Sequence, residues 1–110
     1  MTKQKFIEQI LKINNDLSGQ DVEIISDAFD FAKEAHKGQK RANGESYFTG
    51  HCIPVAVHVA EIGMDKTLIC AALLHDTIED TEVEIKEIEA KFGKDIAKLV
   101  EGVSKLGKLK

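Results

Sequence analysis

The segment KTLICAALLHDTIED, Lys66–Asp80, decides the fold. From Leu68 to Leu74 it is apolar on every side, so a helix built on it has no face to offer water and must be enclosed by other elements. Asp65, immediately before it, has the residue type that caps a helix N-terminus. The run then ends in His75, Asp76, Glu79 and Asp80. If the helix continues through Asp80, a step of about 100° per residue gathers these side chains within an arc of about 140°. An imidazole and three carboxylates leaving a buried helix together repel one another and lose hydration, at a cost of several kcal/mol for each poorly compensated ion. A divalent metal resolves the conflict, because imidazole nitrogen and carboxylate oxygen together suit Mn, Fe, Co or Zn. The competing reading is a solvated helix end whose acids face water.

The segments around this helix read as the elements that enclose it. Lys3–Ile13 places Phe6, Ile7, Ile10, Leu11 and Ile13 at three-and-four spacing, closed by Asn14, Asn15 and Asp16. A second helix begins after Ser18 and Gly19, aligns Val22, Ile25, Phe29, Ala32 and His36, and ends before Gly38. A third has Pro54 in its first turn and runs through Val55, Val59 and Ile62 to Gly63. Thr81 and Glu84 have the spacing of a capping box opening a fifth, with Val83, Ile85 and Ile88 inward and Phe92-Gly93 at its end. A sixth starts near Asp95, aligns Ile96, Leu99, Val100 and Val103, and runs into a basic tail of Lys105, Lys108 and Lys110. The expectation is an all-α chain, a compact bundle of five or six helices in a single domain spanning residues 1–110.

Composition agrees with that class and narrows the function. The chain has 110 residues, 43% of them hydrophobic and 31% charged, and contains one proline. That is enough to bury roughly two thirds of the unfolded surface around one core. A formal net charge of -4 argues against a surface that neutralises a nucleic-acid backbone, while leaving room for one small anionic ligand such as a nucleotide. The N-terminal MTKQKFIEQILKINN has no apolar h-region, and no run approaches the roughly 18 residues that span a bilayer, so a cytoplasmic protein without a membrane segment is expected. Cys52 and Cys70 form no CxxC pair and read as buried thiols.

The longest stretch without hydrophobic periodicity is HKGQKRANGESYFTGH, His36–His51, a glycine-rich polar loop of the kind that carries function. His51 follows it directly, opens the third helix, and can approach the acidic end of the buried helix across the core. His58, among Val57, Val59 and Ala60, reads as a packed or half-exposed side chain. His36 closes the second helix, where a cation favours the helix dipole.

Three stretches, AHKGQKRANGESYFTGH, AALLHDTIEDT and FGKDIAKLVEGVSKLGKLK, resemble in order and spacing the hydrolase domain of the RelA/SpoT family, enzymes of the (p)ppGpp alarmone of the stringent response. The resemblance covers nearly the whole chain. It implies a helical HD-type phosphohydrolase that, with Mn(II), removes pyrophosphate from the 3′ position of ppGpp or pppGpp. It makes His51, His75 and Asp76 metal ligands, and Glu79 and Asp80 the pair that positions and activates the attacking water. It places Arg41 on the guanine, with Asn43 and Tyr47 in the loop lining the nucleotide pocket. Arg41 is the only arginine among 15 basic residues, and a planar guanidinium can lie on a base where an ammonium cannot.

The sequence departs from the family pattern in three places. Phe48, Thr49 and Gly50 separate Tyr47 from His51 where the family has two residues, and Cys52 stands in place of a proline. The extra glycine either bulges out and leaves His51 in place or turns the imidazole away. Ser46 replaces another proline, which loosens the loop. The family domain also continues for some 70 residues, with a fourth metal ligand, an aspartate, in a later helix, so the chain corresponds to the N-terminal part of that domain, without a synthetase domain. Three function classes remain open: a (p)ppGpp hydrolase domain, a catalytically inactive helical module that oligomerises through the face the absent helices leave, and an HD phosphohydrolase for another nucleotide.

Overall fold

A computed structural model describes the backbone of residues 1–108 and the side chains up to residue 103. Helix α1 (Lys3–Ile13) starts where the Thr2 hydroxyl accepts a hydrogen bond from the Lys5 amide, at 3.2 Å. Helix α2 (Gly19–Ala35) opens on a reciprocal capping box, in which Ser18 Oγ accepts from the Asp21 amide and Asp21 Oδ2 from the Ser18 amide, both at 3.1 Å. Helix α3 covers Ile53–Glu61, α4 Lys66–Leu74, α5 Thr77–Asp80, α6 Ile85–Phe92 and α7 Lys94–Lys108. The all-α expectation holds, and the only strand-like pairing among the described residues is an isolated bridge between Lys40 and Ser46. None of the described helices is long and apolar enough to cross a membrane.

Helix α4 is the centre of the packing, as its all-round hydrophobicity requires. It lies against α2, α3 and α7, and Ile69, Cys70, Leu73 and Leu74 are completely buried. Burial of each such aliphatic side chain contributes roughly 1.5–3 kcal/mol. An aromatic ladder fixes the neighbouring elements: Phe29 of α2 meets Phe6 of α1 at 5.3 Å and Phe48 edge-on at 4.9 Å between ring centroids. Phe48 thereby anchors the start of the segment that carries His51. The Cα radius of gyration, 13.1 Å, is the value expected of a close-packed chain of this length, about 13 Å. Both cysteines are buried free thiols, each pushed up to about 12, chiefly by burial.

Four local expectations are corrected. The buried helix does not run through Asp80: it ends at Leu74, and Asp76 adopts φ -96°, ψ -2° before one further turn, α5. The break is stable because side chains take over helix-end carbonyls: His75 Nδ1 bonds Ala72 O at 2.6 Å and the buried Thr77 hydroxyl donates to Leu74 O at 2.8 Å. Thr81 does not open the next helix. Its hydroxyl donates back to Thr77 O and accepts from the Val83 amide, while Glu84 caps α6 by pairing with Glu87.

The third helix is preceded by a turn of π-helix, Phe48–Cys52, within the segment expected to be irregular. Val103, aligned by sequence with the inward Ile96 and Val100, is 41% exposed. The side chains of Lys105, Lys108 and Lys110 lie outside the described residues.

Candidate metal centre

The break after α4 builds the site. It turns Asp76 out of the helix so that its carboxylate lies across the path of the π-turn, and three donors from two separated segments meet one oxygen. Asp76 Oδ2 is 2.5 Å from the Tyr47 hydroxyl, 3.0 Å from His75 Nε2 and 3.1 Å from His51 Nε2. One ligand atom from each of His51, His75 and Asp76 falls within 4.8 Å of the others. The ring centroids of His51 and His75 lie 5.4 Å apart with planes inclined by 48°, and both Nε2 atoms approach Asp76 Oδ2.

A π-turn carries His51 to this point. The Ile53 amide bonds Phe48 O, a five-residue span in place of the four-residue span of an α-helix. Tyr47, just before this turn, and His51, within it, both reach Asp76. Gly50, in the middle of the turn, has little room for a side chain. A Cβ there would lie 2.9 Å from Glu45 Oε2 and 3.0 Å from Arg41 Cδ.

The donor set fits a divalent cation. Ala72 O can only accept, so His75 Nδ1 carries its proton towards that carbonyl, and whenever the ring is neutral its Nε2 lone pair faces Asp76 Oδ2. At 3.0 Å the two atoms need a proton or a cation between them: the proton on Nε2 serves in the metal-free protein, and a divalent ion can replace it. Burial lowers the His75 imidazole, but the bond to Asp76, the Ala72 carbonyl and the negative charge of Asp80 outweigh it, and its pKa is raised. Burial also works against the Asp76 carboxylate. The bonds from His75 and Tyr47 and the positive imidazoles prevail, holding it at about 2. Burial, then the Asp76 carboxylate, push the Tyr47 phenol far above its ordinary range, so Tyr47 is a donor throughout.

The remaining candidates surround this centre unevenly. Asp80 is exposed on α5, and its charge is felt by Tyr47, Cys52 and His75. Glu79, beside it on α5, is also exposed. A depression of ≈ 590 Å³ opens next to Asp80, bordered by Lys37, Gln39, Thr81 and Glu87. Arg41 and Asn43 sit on the exposed loop. Arg41 Nη1 donates to Gly50 O at 2.9 Å, and Asn43 holds Glu45 at 2.6 Å. His58 is exposed on α3, away from the cluster, while His36 is only 2% exposed and hydrogen-bonds Gln39 rather than acting as a surface cation at the helix end.

Sequence reasoning missed two features, the bond from the Tyr47 hydroxyl to Asp76 and the His36–Gln39 pair. The available signal was that the chain's one tyrosine stands four residues before His51.

A family profile described as the HD domain matches residues 28–110. The chain belongs to the HD-domain family. Over 91 residues this HD domain is 54% identical to a guanosine-3′,5′-bis(diphosphate) 3′-pyrophosphohydrolase of Aquifex aeolicus, covering 83% of the chain and 13% of that protein. It is 52% identical over 83 residues to the bifunctional (p)ppGpp synthase/hydrolase SpoT of Escherichia coli, 76% of the chain and 12% of the relative. It is 38% identical over 109 residues to the GTP pyrophosphokinase rsh of Brucella melitensis, 99% of the chain and 14% of the relative. The chain thus spans only about an eighth of the length of these relatives.

Proposed function

We propose that this HD domain is the metal-dependent hydrolase unit that removes pyrophosphate from the 3′ position of guanosine tetra- and pentaphosphate in stringent-response signalling. The observation that carries the reading is the convergence of His51, His75 and Asp76 on one point, on a chain whose relatives include named (p)ppGpp 3′-pyrophosphohydrolases. Those catalytic names favour hydrolysis over an inactive helical module, and chemistry over assembly alone.

In this reading His51, His75 and Asp76 hold the ion, with Mn(II) the cofactor. A divalent cation bound there supplies Lewis-acid charge to the phosphate oxygens and lowers the pKa of an attached water. Water adds across the bond between the ribose 3′ oxygen and its phosphorus: the water oxygen leaves on pyrophosphate, and the 3′ oxygen takes up a proton. Glu79 and Asp80 orient the water and accept its proton, a role open to exposed carboxylates beside the centre. Tyr47, bonded to Asp76, fixes the carboxylate's orientation. Arg41 stacks on the guanine, its guanidinium steadied by the Gly50 carbonyl, and Asn43 shapes the loop through Glu45.

The direct test is release of pyrophosphate from ppGpp with and without Mn(II), beside an Asp76→Ala variant. Release that requires both the ion and Asp76 is expected. Release unaffected by either would remove the basis of the reading. Arg41→Ala should raise KM with little change in kcat, and an unchanged KM would point to another nucleotide.

A further inference from the structure

The buried histidine that follows α2 at its C-terminal cap has no part in the centre described above, yet the structure connects it to the centre through a single side chain. His36 is 2% exposed, and its Nε2 has no hydrogen-bond partner. Its Nδ1 is 2.8 Å from Gln39 Oε1, an acceptor, so that bond fixes the rotation of the ring. That ring packs against Tyr47, with centroids 5.0 Å apart and planes inclined by 38°. Gln39 also holds Tyr47 directly, because its carbonyl accepts the Tyr47 amide at 2.9 Å. The Gln39 side chain and backbone thus grip the two rings from one position. Tyr47 also packs against His51, with centroids 5.1 Å apart and planes inclined by 44°, and donates to Asp76 Oδ2.

We propose that His36, locked by Gln39, is a positioning residue: its ring is the wall that holds Tyr47 at the angle from which the tyrosine hydroxyl orients Asp76 towards His51 and His75. The inference rests on the reading of His51, His75 and Asp76 as a metal centre. A purely space-filling role is better served by an aliphatic side chain, which leaves no buried nitrogen unpaired. The contact sequence Gln39, His36, Tyr47, Asp76 is continuous, and each step is a hydrogen bond or a ring contact. Partners that orient a metal ligand from outside commonly matter about 10- to 100-fold in metal affinity.

The experiment is a double-mutant cycle on Mn(II) affinity, measured by calorimetry on the whole chain. Tyr47→Phe is expected to weaken Mn(II) binding about tenfold, and His36→Leu by a comparable factor. Because His36 acts through the tyrosine hydroxyl, the double variant should be no weaker than Tyr47→Phe alone. Gln39→Leu should weaken binding while Gln39→Glu, which keeps an acceptor for Nδ1, should retain it, a pattern that also serves if His36→Leu fails to fold. A second readout is independent of the metal. Tyr47 is the only tyrosine and the chain has no tryptophan, so the anisotropy of tyrosine emission reports this ring alone.

High anisotropy in wild type that falls in Gln39→Leu supports the inference. Unchanged anisotropy in Gln39→Leu, or additive losses in the cycle, overturns it. If wild type binds no Mn(II), the metal reading fails, and the anisotropy arm still decides whether Gln39 and His36 fix Tyr47.

Discussion

Replacement of Asp76 by Asn should flatten the pH dependence of stability in the metal-free protein. Three donors meet Asp76 Oδ2, and the folded state holds the carboxyl at about 2, below its ordinary 3.8. A folded-state pKa that is depressed contributes stability that is present above the unfolded value and lost as pH falls through the folded one. The shift corresponds to roughly 2 kcal/mol at pH 6, of which about half remains at pH 3. His75 works in the opposite sense. Its folded pKa is raised, so its contribution is complete below the unfolded value of 6.5 and fades as pH rises through the folded value. Wild type should therefore be most stable between these two titrations, around pH 5–6 by the same linkage. Urea unfolding followed by circular dichroism in chelator, at pH 3, 5.5 and 8.5, measures this. Asn keeps an acceptor for Tyr47 but carries no charge, so the variant should lose about 2 kcal/mol at pH 5.5 and less on both flanks. A variant curve parallel to wild type at all three pH values would refute the reasoning.

Other expectations follow from the same geometry. Mn(II) at 100 times its Kd should stabilise wild type by about 2.7 kcal/mol, and not Asp76→Ala, as read by the shift in thermal midpoint. Gly50→Ala should leave the fold intact but displace the Glu45 and Arg41 side chains that crowd this position, raising KM for ppGpp more than it lowers kcat. Leu73→Ala, at a fully buried site in α4, should cost about 2–5 kcal/mol in urea unfolding, since the surrounding helices close the cavity only in part.

The helices were legible because their signals are local. The all-round hydrophobicity of Leu68–Leu74 foretold the central position of α4, and Ser18, Asp65 and Gly63 marked boundaries that the structure keeps. What sequence periodicity could not supply was the break at His75 and Asp76. Nothing in a helical pattern reveals that His75 and Thr77 side chains will satisfy the last carbonyls of α4, yet that break is what aims Asp76 at His51. The direction of His51 was likewise open, because a glycine in a polar loop permits several backbone paths, and the π-turn is the one that brings the imidazole to Asp76. The bond from Tyr47 to Asp76 was not legible either. A side chain's partner depends on tertiary geometry, and its bond to Asp76 crosses 29 positions of the chain.

The central claim is that His51 of the π-turn and the His75-Asp76 pair form one metal centre. Mn(II) titration followed by electron paramagnetic resonance tests it most directly, on wild type, His51→Ala, His75→Ala and the exposed His58→Ala. One bound ion per chain in wild type and His58→Ala, with binding lost or weakened at least tenfold in the other two, is expected. Equal Mn(II) binding by His51→Ala and wild type would contradict the claim.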